Sequence, residues 1–263
     1  MDKDLVLKKI PKIEDKLLVA KILDKYVLAE KIRRSTNSEF LDPYQRNLLE
    51  KSFEICGIQD YFFFGGFSGA ERTVVVFCPY NMPENVEQEY SGLFEILQIK
   101  PKSRDNFSHR DYLGSLMGLG IKREKIGDIL VRDEFCYVVV LKDIADYIKY
   151  NLTKVGNVYV EIETVDTGEL GVSPPKVKEI SSTVASLRLD SVASVGFGMS
   201  RSKAADFIKA EKVYVNWEIA NSVSKLVKEG DTISIRGKGR VVLEKIGNTT
   251  KKDRIHILMK KYI

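Results

Sequence analysis

The sequence predicts an α+β chain built from three successive segments, and three observations lead there. Residues 12–34 contain no Gly or Pro and carry apolar residues at helical spacing. Between residues 93 and 165 the hydrophobic period switches in the order strand, helix, strand, strand, helix, strand. Beyond Pro174 and Pro175 the composition turns basic, with 16 Lys/Arg against 8 Asp/Glu from Ser181 onward, whereas the first 180 residues carry 26 against 29. The expected divisions are a helical region over 1–71, an α+β domain over 72–172, a linker over 173–180, and a domain of two helices and a small sheet over 181–263.

In the first segment, Leu17, Leu18, Ile22, Tyr26, Ala29 and Ile32 mark a helix near 12–34. "LDPYQRNLLEKSFEICG" starts a second helix, with Asp42 as N-cap, Pro43 at the first helical position and Gly57 at the end. "GGFSGAER" then interrupts the pattern. No Gly-Lys-Ser/Thr follows, and the next element, "TVVVFCPY", is a strand where a phosphate loop needs a helix, so a turn or elbow is expected.

The middle segment is expected to form strands at 93–100, 126–132, 135–141 and 158–165, with helices at 108–119 and 143–152. That order is the split βαβ arrangement of ferredoxin-like, RRM-like domains. Such sheets bind RNA through aromatics, yet no Arg/Lys-Gly-Phe/Tyr-Gly/Ala-Phe-Val-x-Phe/Tyr segment is present. Ser108 and Asp111 suit a helix start. Gly114 and Gly118, four apart, would admit a close helix neighbour. Arg110, Lys122, Arg123 and Lys125 form a candidate second polyanion contact, while His109 has no partners that would make it catalytic.

Composition excludes several classes. An apolar fraction of 44% over 263 residues supports a buried core. The charged start "MDKDLVLKKIPKIEDK" lacks the apolar centre of a signal peptide, and no run approaches the ~18 apolar residues of a membrane span. Cys56, Cys78 and Cys136 are scattered, the two histidines are far apart, and no Cys-x-x-Cys occurs, so neither a disulfide framework nor a metal site is expected. A soluble, cytoplasmic monomer without cofactor, metal or membrane partner is the expectation. The basic final segment points to a polyanion.

That segment is expected to hold a helix at 184–195, an elbow at 196–199 and a helix at 201–210 capped by Ser200. Val195, Phe207 and Ile208 are expected in its core. Arg201 and Lys203 fall in the first turn of the second helix, where the dipole disfavours cations, so an anion there would complete the site. Four spaced motifs then carry a resemblance: Leu187-Arg188-Leu189-Asp190, Ser200-Arg201-Ser202-Lys203-Ala204, Lys212-Val213-x-Val215-Asn216 and Glu229-Gly230-Asp231. Together they resemble the S4 RNA-binding domain.

The resemblance implies an RNA-facing surface at Arg188, Arg201, Ser202, Lys203, Lys212 and Asn216. Charge and expected geometry add Lys209, Lys225, Arg236 and Lys238, all converging on one patch, with Asp190 orienting Arg188.

"FLDPYQRNLLE", "GGFSGAER" and "SHRDYLGSLMGLGIKREKIGDI" extend the resemblance to YlmH-like proteins, which combine a helical start, an RRM-like domain and an S4 domain. It implies a non-enzymatic RNA-binding protein acting on ribosomal RNA of the large subunit with tRNA nearby, in the handling of stalled subunits. Two rival readings stand beside it. Arg188-Leu189-Asp190 resembles the pseudouridine synthase motif, but Leu187 stands where that motif has glycine, and no methyltransferase cofactor loop is found. An adaptor role for the first two segments is compatible with RNA binding.

Overall fold

Residues 3–80, 84–103, 105–171, 177–250 and 253–262 are described by the structure, a computed structural model. The chain divides into two compact units, Met1–Val172 and Ser173–Ile263. Residues 173–176 of the expected linker lie outside the described residues; residues 177–180 belong to a strand.

The first unit opens with α1 (Lys3–Lys9) and α2 (Ile13–Ile32), then a short β1 (Thr36–Asn37). Next, α3 (Pro43–Cys56) begins on a reciprocal cap: Asp42 accepts the Gln45 N–H at 2.8 Å, and Gln45 accepts the Asp42 N–H at 3.0 Å. Gly57 ends it at φ 67°, a left-handed conformation that glycine adopts without penalty. The hairpin β2 (Tyr61–Phe64) and β3 (Val74–Phe77) forms a three-stranded sheet with β1. The expected boundary at 71/72 therefore falls inside a hairpin.

After α4 (Val86–Tyr90) come β4 (Phe94–Pro101), α5 (His109–Gly118), β5 (Ile126–Val131), β6 (Cys136–Leu141), α6 (Lys142–Asn151), β7 (Lys154–Val155) and β8 (Val158–Val165). They form a sheet ordered β5-β6-β4-β8-β7, so the βαββαβ order holds. One face of this sheet is covered by helices and the other is covered over β5, β6 and β4, while Tyr159, Glu161 and Glu163 of β8 stay exposed. Leu97, Ile99, Val138 and Val140 pack with Tyr112, Leu116, Ala145 and Ile148 of α5 and α6. On the opposite face Phe94, Ile96, Tyr137, Val139 and Leu141 pack with Phe40, Phe64, Val74 and Val76. Alternation along β3 sends Val75 and Phe77 the other way, against α2 and α3. Two-sided burial explains why "VVVF" is an unbroken apolar run. It also means that the hairpin covers the β6 and β4 part of the sheet face on which an RRM-like domain would stack bases, with Tyr159 of β8 left exposed beyond it.

The "GGFSGAER" loop grips an anion, but an internal one. Asp128 on β5 accepts the backbone N–H groups of Glu71 at 2.7 Å and Arg72 at 3.0 Å. The Arg72 guanidinium in turn donates to the carbonyls of Ile126 at 3.0 Å and Phe40 at 3.3 Å. Burial raises the Asp128 pKa against the two N–H bonds. The close-packing role expected of Gly114 and Gly118 is corrected: a Cβ at either would meet nothing within 4 Å.

In the second unit β9 (Val177–Val184) precedes α7 (Leu189–Phe197) and α8 (Arg201–Lys209). There follow β10 (Val213–Val215), β11 (Glu218–Ile219), β12 (Thr232–Ile235), β13 (Gly239–Thr249) and β14 (Ile255–Tyr262), in a sheet ordered β11-β10-β12-β13-β14-β9. The helix expected from residue 184 starts later, because the preceding residues pair with β14 along its whole length. Both helices cover one sheet face through Leu189, Val192, Ala193, Ala204 and Ile208; Val195 and Phe207 pack at the edge of this core. A Cβ on Gly196 would lie 2.8 Å from Met259 and 2.9 Å from Val241, so α7 sits too close to the sheet for a larger residue.

Asp128→Ala leaves the Glu71 and Arg72 backbone N–H groups without their acceptor and removes a carboxylate charge near the Arg72 guanidinium. The expected cost is about 2–4 kcal/mol of unfolding free energy. Urea denaturation of the full chain measures it, and a loss under about 0.5 kcal/mol would contradict the bracing role, since that is the range of neutral surface changes.

Candidate nucleic-acid interface

The site begins with a carboxylate that the fold has buried. Asp190 stands in the first turn of α7 and is 6% exposed. Its Oδ1 accepts Arg188 Nε at 3.1 Å and the Ser191 N–H at 3.0 Å; its Oδ2 accepts Arg201 Nη2 at 2.8 Å. One acid thus ties together the residue preceding α7 and the first residue of α8. Burial alone would raise its pKa; the hydrogen bonds and charges of Arg201 and Arg188 outweigh that and hold it below its ordinary value. Two guanidiniums on one carboxylate leave a net positive charge. Arg188 is 37% and Arg201 52% exposed, so both are aimed without being covered. Asp190 acts as the orienting residue expected, with its oxygens committed to these donors.

The chain around 223–227 closes over this point. The Leu189 N–H donates to the Lys225 carbonyl at 2.8 Å, the Val227 N–H to that of Leu187 at 2.9 Å, and Arg188 bridges to Leu226. The backbone of Lys225 is thereby held alongside that of Leu189, next to Arg188 in the chain. On α8 the Ser200 hydroxyl accepts the Lys203 N–H at 3.2 Å, and Arg201, Ser202 and Lys203 are exposed in the first turn. Lys209, eight residues on, lies about 12 Å further along the axis.

Convergence on a single patch is corrected. Val213, Val215, Ile233 and Ile235 face the helices, so alternation turns Lys212 and Arg236 to the other side of the sheet, where Arg236 donates to the Tyr214 hydroxyl at 3.1 Å. Lys238 sits in the β12–β13 turn. Asn216 is also corrected as a contact. It takes φ 51° in the β10–β11 turn, its amide donates to Asp231 at 2.8 Å, and its oxygen accepts the Thr232 N–H at 2.9 Å. The "NW…GD" residues are thus a turn lock, and the half-buried Tyr214 ring shares the side of Arg236, as its alternation with Val213 and Val215 requires.

The second candidate contact is split as well. Arg123 is spent on structure, donating to the carbonyls of Ile126 at 2.5 Å and Gly127 at 3.3 Å; burial, then the Arg72 charge, lower its pKa to about 10. Lys125 pairs with Asp143 at 2.5 Å. Arg110 and Lys122 are exposed. His109 has its pKa lowered by burial and by the Arg123 charge. Among the described residues no group of three or more His, Cys, Asp or Glu is placed to hold a metal, and no helix is long and apolar enough to cross a membrane.

A two-helix face carrying an Arg–Asp–Arg brace, laid on a small antiparallel sheet, defines an S4-domain RNA-binding protein. The S4 domain family model matches residues 187–233, and the model described as "Putative RNA-binding domain in YlmH" matches residues 86–169. The chain is 36% identical over 223 residues to the ribosome-associated protein quality control protein P2 of Bacillus subtilis, covering 82% of this chain and 83% of that one. It belongs to the YlmH-like family of S4-domain RNA-binding proteins. The fold also resembles the cell division protein ylmH from Streptococcus pneumoniae, with a TM-score of 0.50 and 23% identity, covering 61% of this chain and 96% of that one.

Because Asp190 has a lower pKa folded than unfolded, its contribution to stability is present above the unfolded carboxylate value of about 3.9 and is lost as pH falls through the folded value. The stability gap between the wild type and Asp190→Asn is therefore expected to be widest near pH 7 and to close below about pH 3.9. Denaturant titrations at several pH values measure this; a gap constant with pH would contradict the brace.

Proposed function

We propose that this protein is a non-enzymatic, cytoplasmic RNA-binding protein that docks through its S4 domain on structured ribosomal RNA of the large subunit, close to tRNA, in ribosome-associated quality control. The observation that carries the reading is the Arg188–Asp190–Arg201 brace beside the Ser200-capped start of α8. It holds two guanidiniums in place before any ligand arrives, so less side-chain entropy is lost on binding. Phosphate oxygens match the remaining guanidinium donors, and the exposed ammonium of Lys203 supplies a further point charge. Lys225, Lys209 and Ser202 extend the same side. The name of the Bacillus relative supports the ribosomal setting. As the oxygens of Asp190 are occupied, the LRLD motif serves to orient cations and supplies no catalytic base or nucleophile.

Arg201→Ala combined with Lys203→Ala is expected to abolish most cosedimentation of the full chain with large ribosomal subunits. Each lost phosphate contact should make the log affinity against log salt line shallower by about 0.9. Lys203→Ala alone, which leaves the brace intact, should show one such step. Undiminished association of the double variant with large subunits would overturn the reading.

A further inference from the structure

The cations that left the helix side are gathered around two tyrosines on the opposite face of the same sheet. Tyr214 on β10 pairs with Ser234 on β12, and Ser234 pairs with Arg240 on β13. The Arg240 guanidinium lies over the Tyr262 ring of β14, 4.6 Å from its centre. Arg236 is bonded to the Tyr214 hydroxyl, and the backbone N–H of Arg236 donates to the Lys212 carbonyl at 3.0 Å. Exposed Ile219 and Val177, at 53% and 44%, close the row at either edge. The acids on this face are neutralised beside the row: Glu244 pairs with Lys260 at 2.7 Å, and Glu179 stands opposite Lys260 in the β9–β14 register. Lys212, Arg236 and Arg240 lie along the tyrosine row, and the Lys260–Glu244 pair flanks it beside Tyr262.

We propose that this outer face is a second RNA surface, built for an unpaired strand. An aromatic ring offers a stacking face to any base, whereas a paired helix hides its bases from a flat surface. Tyr214 and Tyr262 stand three strand spacings apart, about 14 Å, which suits a segment of two to three nucleotides. A base laid over the Arg240–Tyr262 pair extends an existing stack, because the guanidinium plane is itself a stacking partner. Lys212 and Arg236 stand where they meet the connecting phosphates. The helix side carries exposed cations without such a tyrosine row, so the two faces suit different RNA: a phosphate-lined fold on one, a single strand on the other.

The test is fluorescence anisotropy of the full-length protein with a labelled 12-nucleotide oligouridine, alongside the cosedimentation assay. The wild type is expected to bind the oligomer. Tyr214→Ala and Tyr262→Ala should each weaken binding about tenfold with little change in the salt slope, since stacking releases no counterions. Tyr214→Phe keeps the stacking face and should bind nearly as the wild type does, which separates stacking from a folding defect. Arg236→Ala should make the slope shallower by about 0.7. The Tyr variants should retain large-subunit association, and the Arg201/Lys203 variant should retain oligouridine binding, so each surface fails by itself. A wild type that ignores the oligomer, Tyr→Ala variants within twofold of it, or loss of both activities in one variant would each overturn the separate platform.

Discussion

The two-helix half of the C-terminal domain is organised by a single carboxylate. Asp190 is enclosed by the chain around 223–227 and by α8, where an unpaired acid would be costly to keep charged. It stays charged because Arg188 and Arg201 reach it from two different elements. The same bonds restrict how α7 and α8 can slide past each other. An Asp–Arg pair alone would be neutral; the second arginine leaves a positive surplus facing solvent. Structural lock and candidate ligand surface are here one set of atoms.

Sheet faces divide the remaining work. In the first unit one face of the five-stranded sheet lies under α5 and α6, and the β2–β3 hairpin covers the β6 and β4 part of the other. Phe94 and Tyr137, beneath the hairpin, are 7% and 6% exposed and serve as core, whereas Tyr159 on β8 is 58% exposed. The second unit leaves one sheet face uncovered by its helices, and its aromatics lie beside cations. The region matched to a family RNA-binding domain has Arg110 and Lys122 among its exposed cations.

The Arg72–Asp128 network shows how a loop rich in glycine can mimic a ligand site. Its N–H groups do hold an anion, supplied by β5 of the same chain. Arg123 behaves alike, its guanidinium consumed by main-chain carbonyls. Both are cases in which local sequence chemistry is right about the interaction and silent about the partner.

What the sequence determined by itself was local. Period, caps and turns specified the βαββαβ order, the Asp42–Pro43 helix start, the Gly57 stop, the Ser200 cap and the Arg188–Asp190 pairing, since each depends on residues a few positions apart. Tertiary structure decided the rest. Strand β9 was unreadable because its polar residues become a strand only by pairing with β14, some eighty residues away. The cations from Arg188 to Lys238 look like one cluster along the chain, yet a strand turns alternate side chains to opposite faces, and only the packing of α7 and α8 on one of those faces sorts them into two. Which charges survive as a surface and which are spent on the fold depends on what lies across the core, and no local pattern encodes that.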